Sequence, residues 1–112
     1  MARFMAELYR PKPSWAALSG AARRAFLLDL IRQLAPVLDN GASVIALGAA
    51  DPIAPQAADF RFFALWQLRD QTTAEDMLRL TLASGWYDYF DTITAAGESC
   101  GLDDHLTQLV EA

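Results

Sequence analysis

Two short segments in the middle of the chain, residues 43–50 and 60–68, are apolar on both of their faces. Each has the length of a β-strand, and the second is rich in aromatic side chains. A strand of this kind has to be covered on both sides, because no alternating row of polar residues faces water. The sequence therefore predicts a sheet with one layer over each face, and this limits the folds that the chain can adopt.

Two further strands are predicted outside this central pair. Residues 3–9 alternate strictly, so that successive side chains fall on opposite faces. One face is wholly apolar, with Phe4, Ala6 and Leu8. Residues 91–95 have β-branched character and predict the fourth strand.

Capping residues predict where the helices begin and end. Ser19 is expected to cap a first helix, which Gly41 closes. Thr72, with Glu75 three residues later, fits the capping box of a second helix. Apolar residues over the segment 102–111 fit one face of a short C-terminal helix.

The order strand, helix, strand, strand, helix, strand predicts an α+β, ferredoxin-like βαββαβ fold. Such a domain is a four-stranded antiparallel sheet with two helices on one face. We predict a single domain over residues 1–112, with its core in residues 3–98 and a tail helix at 102–111. The other face of the sheet would remain apolar and uncovered, which favours a homodimer with two sheets face to face. The alternative is that the C-terminal helix covers this face.

Charge and cysteine content narrow the classes of partner and the compartment. The 112 residues include 9 Lys and Arg against 14 Asp and Glu, a net charge of −5. This balance argues against nucleic acid and against anionic membrane surfaces as partners. We see no signal peptide, no apolar stretch long enough to span a bilayer, and one cysteine. These features predict a cytoplasmic protein without an internal disulfide.

Three motifs carry a resemblance to a known family. They are the segment Glu-Leu-Tyr-Arg-Pro-Lys-Pro-Ser-Trp at residues 7–15, Ala-Leu-Trp at 64–66, and Gly-Trp-Tyr-Asp-Tyr-Phe at 85–90. Over residues 3–98 the chain resembles a family of short bacterial proteins of unknown function, grouped with the dimeric α/β-barrel superfamily. The resemblance implies a barrel-like dimer. That superfamily includes cofactor-independent monooxygenases, isomerases and lactonising enzymes, haem enzymes, and small stress or regulatory proteins, so the resemblance assigns no catalytic residue.

Glu7 is the candidate catalytic residue, because it is an acid in the middle of an apolar strand. If the face with Phe4, Ala6 and Leu8 packs on the helices, Glu7 points into the cavity between two sheets. Desolvation there would raise its pKa and suit it to act as a general base. The alternative is that Glu7 pairs with an arginine, such as Arg3 or Arg61, or lies in water at the sheet edge.

Aromatic residues define a candidate ligand pocket. The cluster at 86–90 either walls a pocket for a flat apolar ligand or caps the core. Trp66 could pack in the core, contact a second subunit or stack on a ligand. Arg61 could bind the carboxylate of a ligand or lie at the rim of the pocket. The predicted pocket comprises Tyr9, Arg61, Trp66, Trp86, Tyr87 and Tyr89.

No metal or cofactor is predicted. The sequence contains no His/Cys cluster, phosphate loop or Gly-rich nucleotide motif, and His105 in a short tail helix is a poor platform for haem. Two classes of function remain. One is a cofactor-independent enzyme, of oxygenase or isomerase type, acting on a small apolar or aromatic molecule. The other is a non-catalytic dimer that binds a metabolite or a protein partner.

Overall fold

The structure is a computed structural model that describes residues 2–53 and 55–112. The strands and long helices follow the predicted order, with one single-turn helix before the first long helix and another before the last strand. The elements are β1 (Arg3–Pro11), α1 (Pro13–Ala16), α2 (Gly20–Asp39), β2 (Ala42–Ala49), β3 (Phe62–Leu68), α3 (Gln71–Ala83), α4 (Trp86–Tyr89), β4 (Phe90–Glu98) and α5 (Leu102–Glu111).

The four strands form one antiparallel sheet in the order β2-β3-β1-β4. The central strand β1 places Glu7 between Ala64 of β3 and Thr94 of β4. Helices α2 and α3 pack on one face of this sheet. The predicted ferredoxin-like arrangement is therefore confirmed, with strand boundaries that extend a few residues beyond those expected for β1 and β4.

The core lies between the sheet and these two helices. Met5, Leu68 and Met77 are its fully buried side chains, and they come from β1, β3 and α3. Val37 of α2 closes the cluster from the other helix. A long, flexible Met5 side chain fills the irregular space where the strand meets both helices.

The position of Met5 corrects the predicted faces of β1. Since side chains alternate along a strand, Glu7 shares the helix-covered face with Met5, and Ala6 lies exposed on the other face. The expectation that Glu7 points into a cavity between two sheets is wrong for this reason. The covered face of the strand carries Arg3 and Glu7, and the wholly apolar face is the open one, so the polarity of the two faces indicated the wrong side.

The helix caps agree with the prediction at α2 and differ at α3. Ser19 caps α2, and its Oγ accepts a hydrogen bond of 3.1 Å from the Ala22 amide. Helix α3 is capped by Asp70 instead of Thr72. The Asp70 Oδ1 accepts bonds of 2.8 Å from both the amide and the hydroxyl of Thr73, and these bonds lower the Asp70 pKa. A carboxylate two residues earlier thus displaces the predicted capping box.

Two glycines adopt backbone conformations that other residues disfavour. Gly41 closes α2 as predicted, with a φ of 131°. Gly85 has a φ of 87° and turns the chain from α3 into α4, which directs Trp86 back towards the sheet. Gly48 is required for a different reason, namely space. It lies against the ring of Phe63, where an added Cβ would come within 2.9 Å of the Phe63 Cζ.

One face of the sheet stays open, and α5 does not cover it. The open face presents Ala6 at its centre and Ile93, 53% exposed, on the edge strand β4. Every residue of α5 is exposed, including the apolar positions Leu106 and Leu109. The alternative that the C-terminal helix shields the sheet within one chain is therefore wrong. None of the helices in the described ranges has the length and apolar character needed to cross a membrane.

Candidate functional site

A small cavity lies beneath α2 on the helix-covered side of the sheet, and we call it the Glu7 cavity. Its volume is about 200 Å³. Strands β1, β2 and β3 form the floor, and the helices α2, α3 and α4 supply the rest of the wall. Ala64 stands directly opposite Glu7, and its small side chain leaves room beside the carboxylate. The lining residues are Glu7, Tyr9, Leu27, Leu30, Leu47, Ala64, Trp66, Thr81 and Trp86.

The Glu7 carboxylate is held by an indole and by no cation among the described residues. Nε1 of Trp66 donates a hydrogen bond of 3.0 Å to Glu7 Oε1. Arg3, one of the arginines expected to pair with Glu7, lies instead 3.6 Å from Glu98. Burial raises the pKa of Glu7, and the bond from Trp66 offsets part of that rise. A carboxylate in this setting has acceptor sites free for a ligand and takes up a proton more readily than one in water.

Two tyrosine hydroxyls lie within the electrostatic reach of Glu7. Burial raises the pKa of Tyr9 and of Tyr87, and the negative charge of Glu7 raises both further. Both phenols therefore remain protonated at neutral pH and can donate hydrogen bonds. Tyr9 lines the same cavity as the Glu7 carboxylate, and Tyr87 is not among the lining residues of that cavity.

A larger cavity, of about 470 Å³, adjoins the first, and we call it the outer cavity. Tyr9, Leu27 and Trp86 line both cavities, so the two are adjacent, and we call them together the cleft. The outer cavity is further lined by Pro11, Trp15, Ala16, Arg23, Arg61, Phe62 and Phe90.

Aromatic contacts make this wall rigid. Trp86 stacks on Phe90 with 4.0 Å between ring centroids, and the ring of Tyr9 meets Trp86 edge-on at 5.1 Å. Nε1 of Trp86 also donates a hydrogen bond of 2.9 Å to the Thr92 hydroxyl. Rings fixed in this way offer a flat, apolar surface without a further cost in side-chain entropy on binding.

Two arginines line the outer cavity. Arg23 donates hydrogen bonds of 3.1 Å to the backbone carbonyls of Trp15 and Ala16. The guanidinium of Arg61 lies 5.2 Å from the centroid of the Phe62 ring. Within residues 2–53 and 55–112, neither arginine forms an ion pair with a carboxylate.

The structure brings most of the predicted site residues together. Glu7, Tyr9, Trp66 and Trp86 line the inner cavity, and Tyr87 lies close enough for its pKa to respond to the Glu7 charge. Arg61 lines the outer cavity, at its exposed end.

Tyr89 is the one predicted pocket residue that lies apart from the others. It packs against Trp15 and Phe26, with ring centroids 5.6 and 5.0 Å away, and so belongs to the aromatic cluster near α1. Residues from α2 that line the cleft, above all Arg23 and Leu27, were not predicted. The sequence predicts that both residues lie in a helix, but it does not show that the N-terminal half of this helix lies over a cavity.

The described residues contain no group of three or more His, Cys, Asp or Glu side chains placed to hold a metal ion. His105 lies on the exposed helix α5, where its Nδ1 is 3.0 Å from Oε1 of Gln108. Cys100, also exposed, approaches the same Gln108 oxygen at 3.7 Å. The lining of the cleft includes neither His105 nor Cys100.

Sequence comparison assigns the family. Residues 2–112 match the family described as Family of unknown function (DUF6616). The chain belongs to this family. Comparison with curated proteins found no match to this member of the family.

Solved structures share the fold at low sequence identity. A chlorite dismutase variant from Candidatus Nitrospira defluvii superposes with a TM-score of 0.74 and 16% identity over 96% of this chain. This chain spans 44% of that protein's length, which is less than half. A protein of unknown function from Rhodopseudomonas palustris has a TM-score of 0.61 at 15% identity, covering 89% of this chain and 83% of its own.

A dabb family protein with a ferredoxin-like fold, from Mesorhizobium loti, is a further neighbour. Its TM-score is 0.52 at 15% identity, over 90% of this chain and all of the other. At these identities the likeness establishes the ferredoxin-like fold and carries no activity.

Proposed function

We propose that the cleft binds a small, largely aromatic molecule and that Glu7 exchanges a proton with it. The observation that supports this most directly is the Glu7 carboxylate on an apolar floor, with one indole donor and free acceptor sites facing a cavity. Aromatic rings line the remainder of the cleft. Pockets of this composition, with few polar groups that converge, are typical of small-molecule sites.

Proton transfer is the reaction that these groups can perform. Glu7 would remove a proton from an acidic C–H group of the substrate and return it to the same or a neighbouring carbon. Tyr9 or Tyr87 would donate a hydrogen bond to the oxygen on which negative charge develops. No atom is gained or lost in this exchange, which is chemistry of the isomerase type. The raised pKa of Glu7 brings its proton affinity closer to that of such a substrate.

Deuterium exchange tests this proposal. The protein is incubated in D₂O with 2-tetralone, an aromatic ketone with acidic C–H groups, and loss of the C–H signals is followed by proton NMR. We expect exchange above the rate in buffer, and loss of that excess in the Glu7→Gln variant. Binding of 2-tetralone without enhanced deuterium exchange would contradict the proposed enzymatic activity. The alternative, a non-catalytic metabolite binder, would then remain.

We also propose that the protein is a homodimer whose open sheet faces pack on each other. Four strands about 4.8 Å apart, taken over the length of the shortest, β3 with 7 residues, give this face an area of about 450 Å². A stable interface buries about 800 Å² on each partner, so the sheet alone falls short. The exposed apolar stripe of α5 supplies further area, and in the dimer it would pack on the second copy.

The charge of α5 favours a protein surface over a membrane. The helix carries Asp103, Asp104 and Glu111 and no lysine or arginine. Interfacial membrane helices rely on basic residues that bind anionic lipids. Sedimentation analysis at micromolar concentration tests the dimer directly, and a monomer there would contradict it. The cytoplasmic location expected from the sequence remains a prediction.

A further inference from the structure

The two arginines of the outer cavity lack acidic partners in a protein with an excess of acids. The chain has 14 acidic side chains against 9 basic ones. Arg10 illustrates the usual outcome, since it lies 3.0 Å from Asp59 and 3.5 Å from Asp91. In the described part of the chain, Arg23 and Arg61 line one cavity and neither has such a pair.

Both guanidinium groups are positioned before any ligand arrives. The backbone carbonyls of Trp15 and Ala16 orient Arg23, whose guanidinium also lies 5.8 Å from the Trp15 ring centroid. Arg61 rests over the ring of Phe62. A guanidinium that stacks on an aromatic ring keeps N–H donors at its edge free for a planar anion.

The strand register sets the distance between the charged ends of the cleft. Ala64 lies opposite Glu7, and Arg61 precedes it by three residues on the same chain segment. At about 3.4 Å per residue of extended chain, the Cα atoms of Ala64 in β3 and of Arg61, one residue before the strand, are about 10 Å apart. Phe62, Tyr9 and Trp86 line the space between these ends.

We propose that the ligand of this cleft is an aromatic carboxylate about 10 Å long. Its carboxylate binds Arg61 and Arg23 at the outer end, and a hydroxyl or other proton-bearing group reaches Glu7 at the inner end. This inference rests on the proposed small-molecule function of the same cleft and adds the chemical class of the ligand. Two fused rings with substituents at opposite ends have the required length.

The probe that matches this description is 6-hydroxy-2-naphthoic acid. Its affinity is compared, by isothermal titration calorimetry at pH 7.5, with that of 6-hydroxy-2-naphthamide, which has the same rings and a neutral end. We expect the acid to bind about three- to tenfold more tightly, because Arg61 is exposed and its pair with the ligand is partly screened. Raising the salt concentration should weaken binding of the acid and leave the amide unchanged.

Variants locate the effect. Arg61→Gln should remove most of the difference in affinity between the acid and the amide, because Arg23 alone then faces the carboxylate, and Arg61→Lys should retain more of that difference. Arg24→Gln is the matched control, since Arg24 is an exposed arginine on α2 outside the lining of the outer cavity. Equal effects of the Arg61→Gln and Arg24→Gln substitutions would overturn the proposal.

The outcomes separate this inference from the function on which it rests. If acid and amide bind the wild type equally, and Ala64→Leu abolishes both, the cleft binds aromatic molecules and only the carboxylate preference is wrong. If neither compound binds, the small-molecule function and the inference fail together. If the acid binds the wild type more tightly than the amide, and Arg61→Gln reduces this difference while Arg24→Gln does not, the carboxylate end is assigned.

Discussion

Nε1 of Trp66 donates a 3.0 Å hydrogen bond to the carboxylate of Glu7 from a diagonal position on the neighbouring strand. The residue directly opposite Glu7 is Ala64, which is too small to reach it. This pair therefore holds the carboxylate to one side and leaves space on the other. The chemistry of the cleft depends on the molecule that binds on the free side of the Glu7 carboxylate.

Replacing Glu7 by glutamine is expected to flatten the dependence of stability on pH. Since burial raises the pKa of Glu7 above its usual 4.5, the folded state binds the proton more strongly than the unfolded state. Stability should therefore fall as pH rises from 4.5 through the raised pKa, and level off above it. Urea unfolding at several pH values should show this fall in the wild type and not in Glu7→Gln. Glu111→Gln, at an exposed position, is the control and should keep the wild-type profile.

The substitution Trp66→Phe is expected to destabilise the protein in a pH-dependent manner. The variant loses a hydrogen bond to a charged group, which is typically worth about 1.5–3 kcal/mol. The loss should shrink at low pH, where Glu7 is protonated, and the Glu7 pKa should rise because the bond that lowers it is gone. NMR titration of the Glu7 side-chain carbon measures this pKa. Trp86→Phe loses a bond to the Thr92 hydroxyl, so it should cost about 1 kcal/mol at every pH.

Ala64→Leu is expected to fill the Glu7 cavity. Ala64 is 4% exposed and lies on the cavity floor, so a larger side chain occupies the space beside the carboxylate. We expect the variant to lose the binding of aromatic probes. Its free energy of unfolding should fall by at most about 3 kcal/mol. Retained binding by calorimetry, in a variant that still unfolds cooperatively, would show that ligands bind elsewhere.

The order of the elements follows from the sequence because each has a clear hydrophobic period and turn signals at both ends. The covered face of β1 does not follow, because the wholly apolar face lies open and the face with Arg3 and Glu7 packs on the helices. The alternation of side chains therefore located the two faces but not the covered one. At the start of α3 both Asp70 and Thr72 are residue types that can cap a helix, and Asp70 is the cap in the structure. The caps at α2 had no such competitor.

The floor of the candidate site was predictable in part. Glu7 is the acid in the middle of an otherwise apolar strand, and Trp66 and Trp86 belong to conspicuous aromatic motifs. The roof was not predictable, because it depends on how α2 lies across the sheet. The spacing of apolar residues such as Leu27, Leu30 and Leu34 predicts that they share the buried face of α2, yet Leu27 is 37% exposed and lines the cleft.

A charge at the centre of the open sheet face is expected to dissociate the proposed dimer without unfolding the subunit. Ala6 is exposed there, so Ala6→Glu leaves the core of one chain intact. Light scattering at micromolar concentration should report a monomer for Ala6→Glu and a dimer for the wild type. Ala25→Glu, an exposed position on α2, should remain dimeric. A dimeric Ala6→Glu protein would place the interface on another surface.

Gly85→Ala is expected to cost about 1–2 kcal/mol, because alanine is strained at a φ of 87°. Gly85→Asn should cost less, since asparagine tolerates this conformation better. Gly20→Ala is a control, as Gly20 begins α2 with open space at its Cβ position. Chemical denaturation of the three variants distinguishes backbone strain from a general effect of losing glycine. Equal costs at both glycines would contradict the assigned strain.

In the proposed dimer, the folding of helix α5 would depend on the protein concentration. A helix of 10 residues has marginal stability alone in water, and every residue of α5 is exposed in a single chain. If a second copy supplies its packing surface, dilution below the dissociation constant should unwind this helix while the sheet and the other helices persist. The circular dichroism signal at 222 nm would then fall on dilution in the wild type. In Leu106→Asp, which disrupts the apolar stripe, it should be low at every concentration.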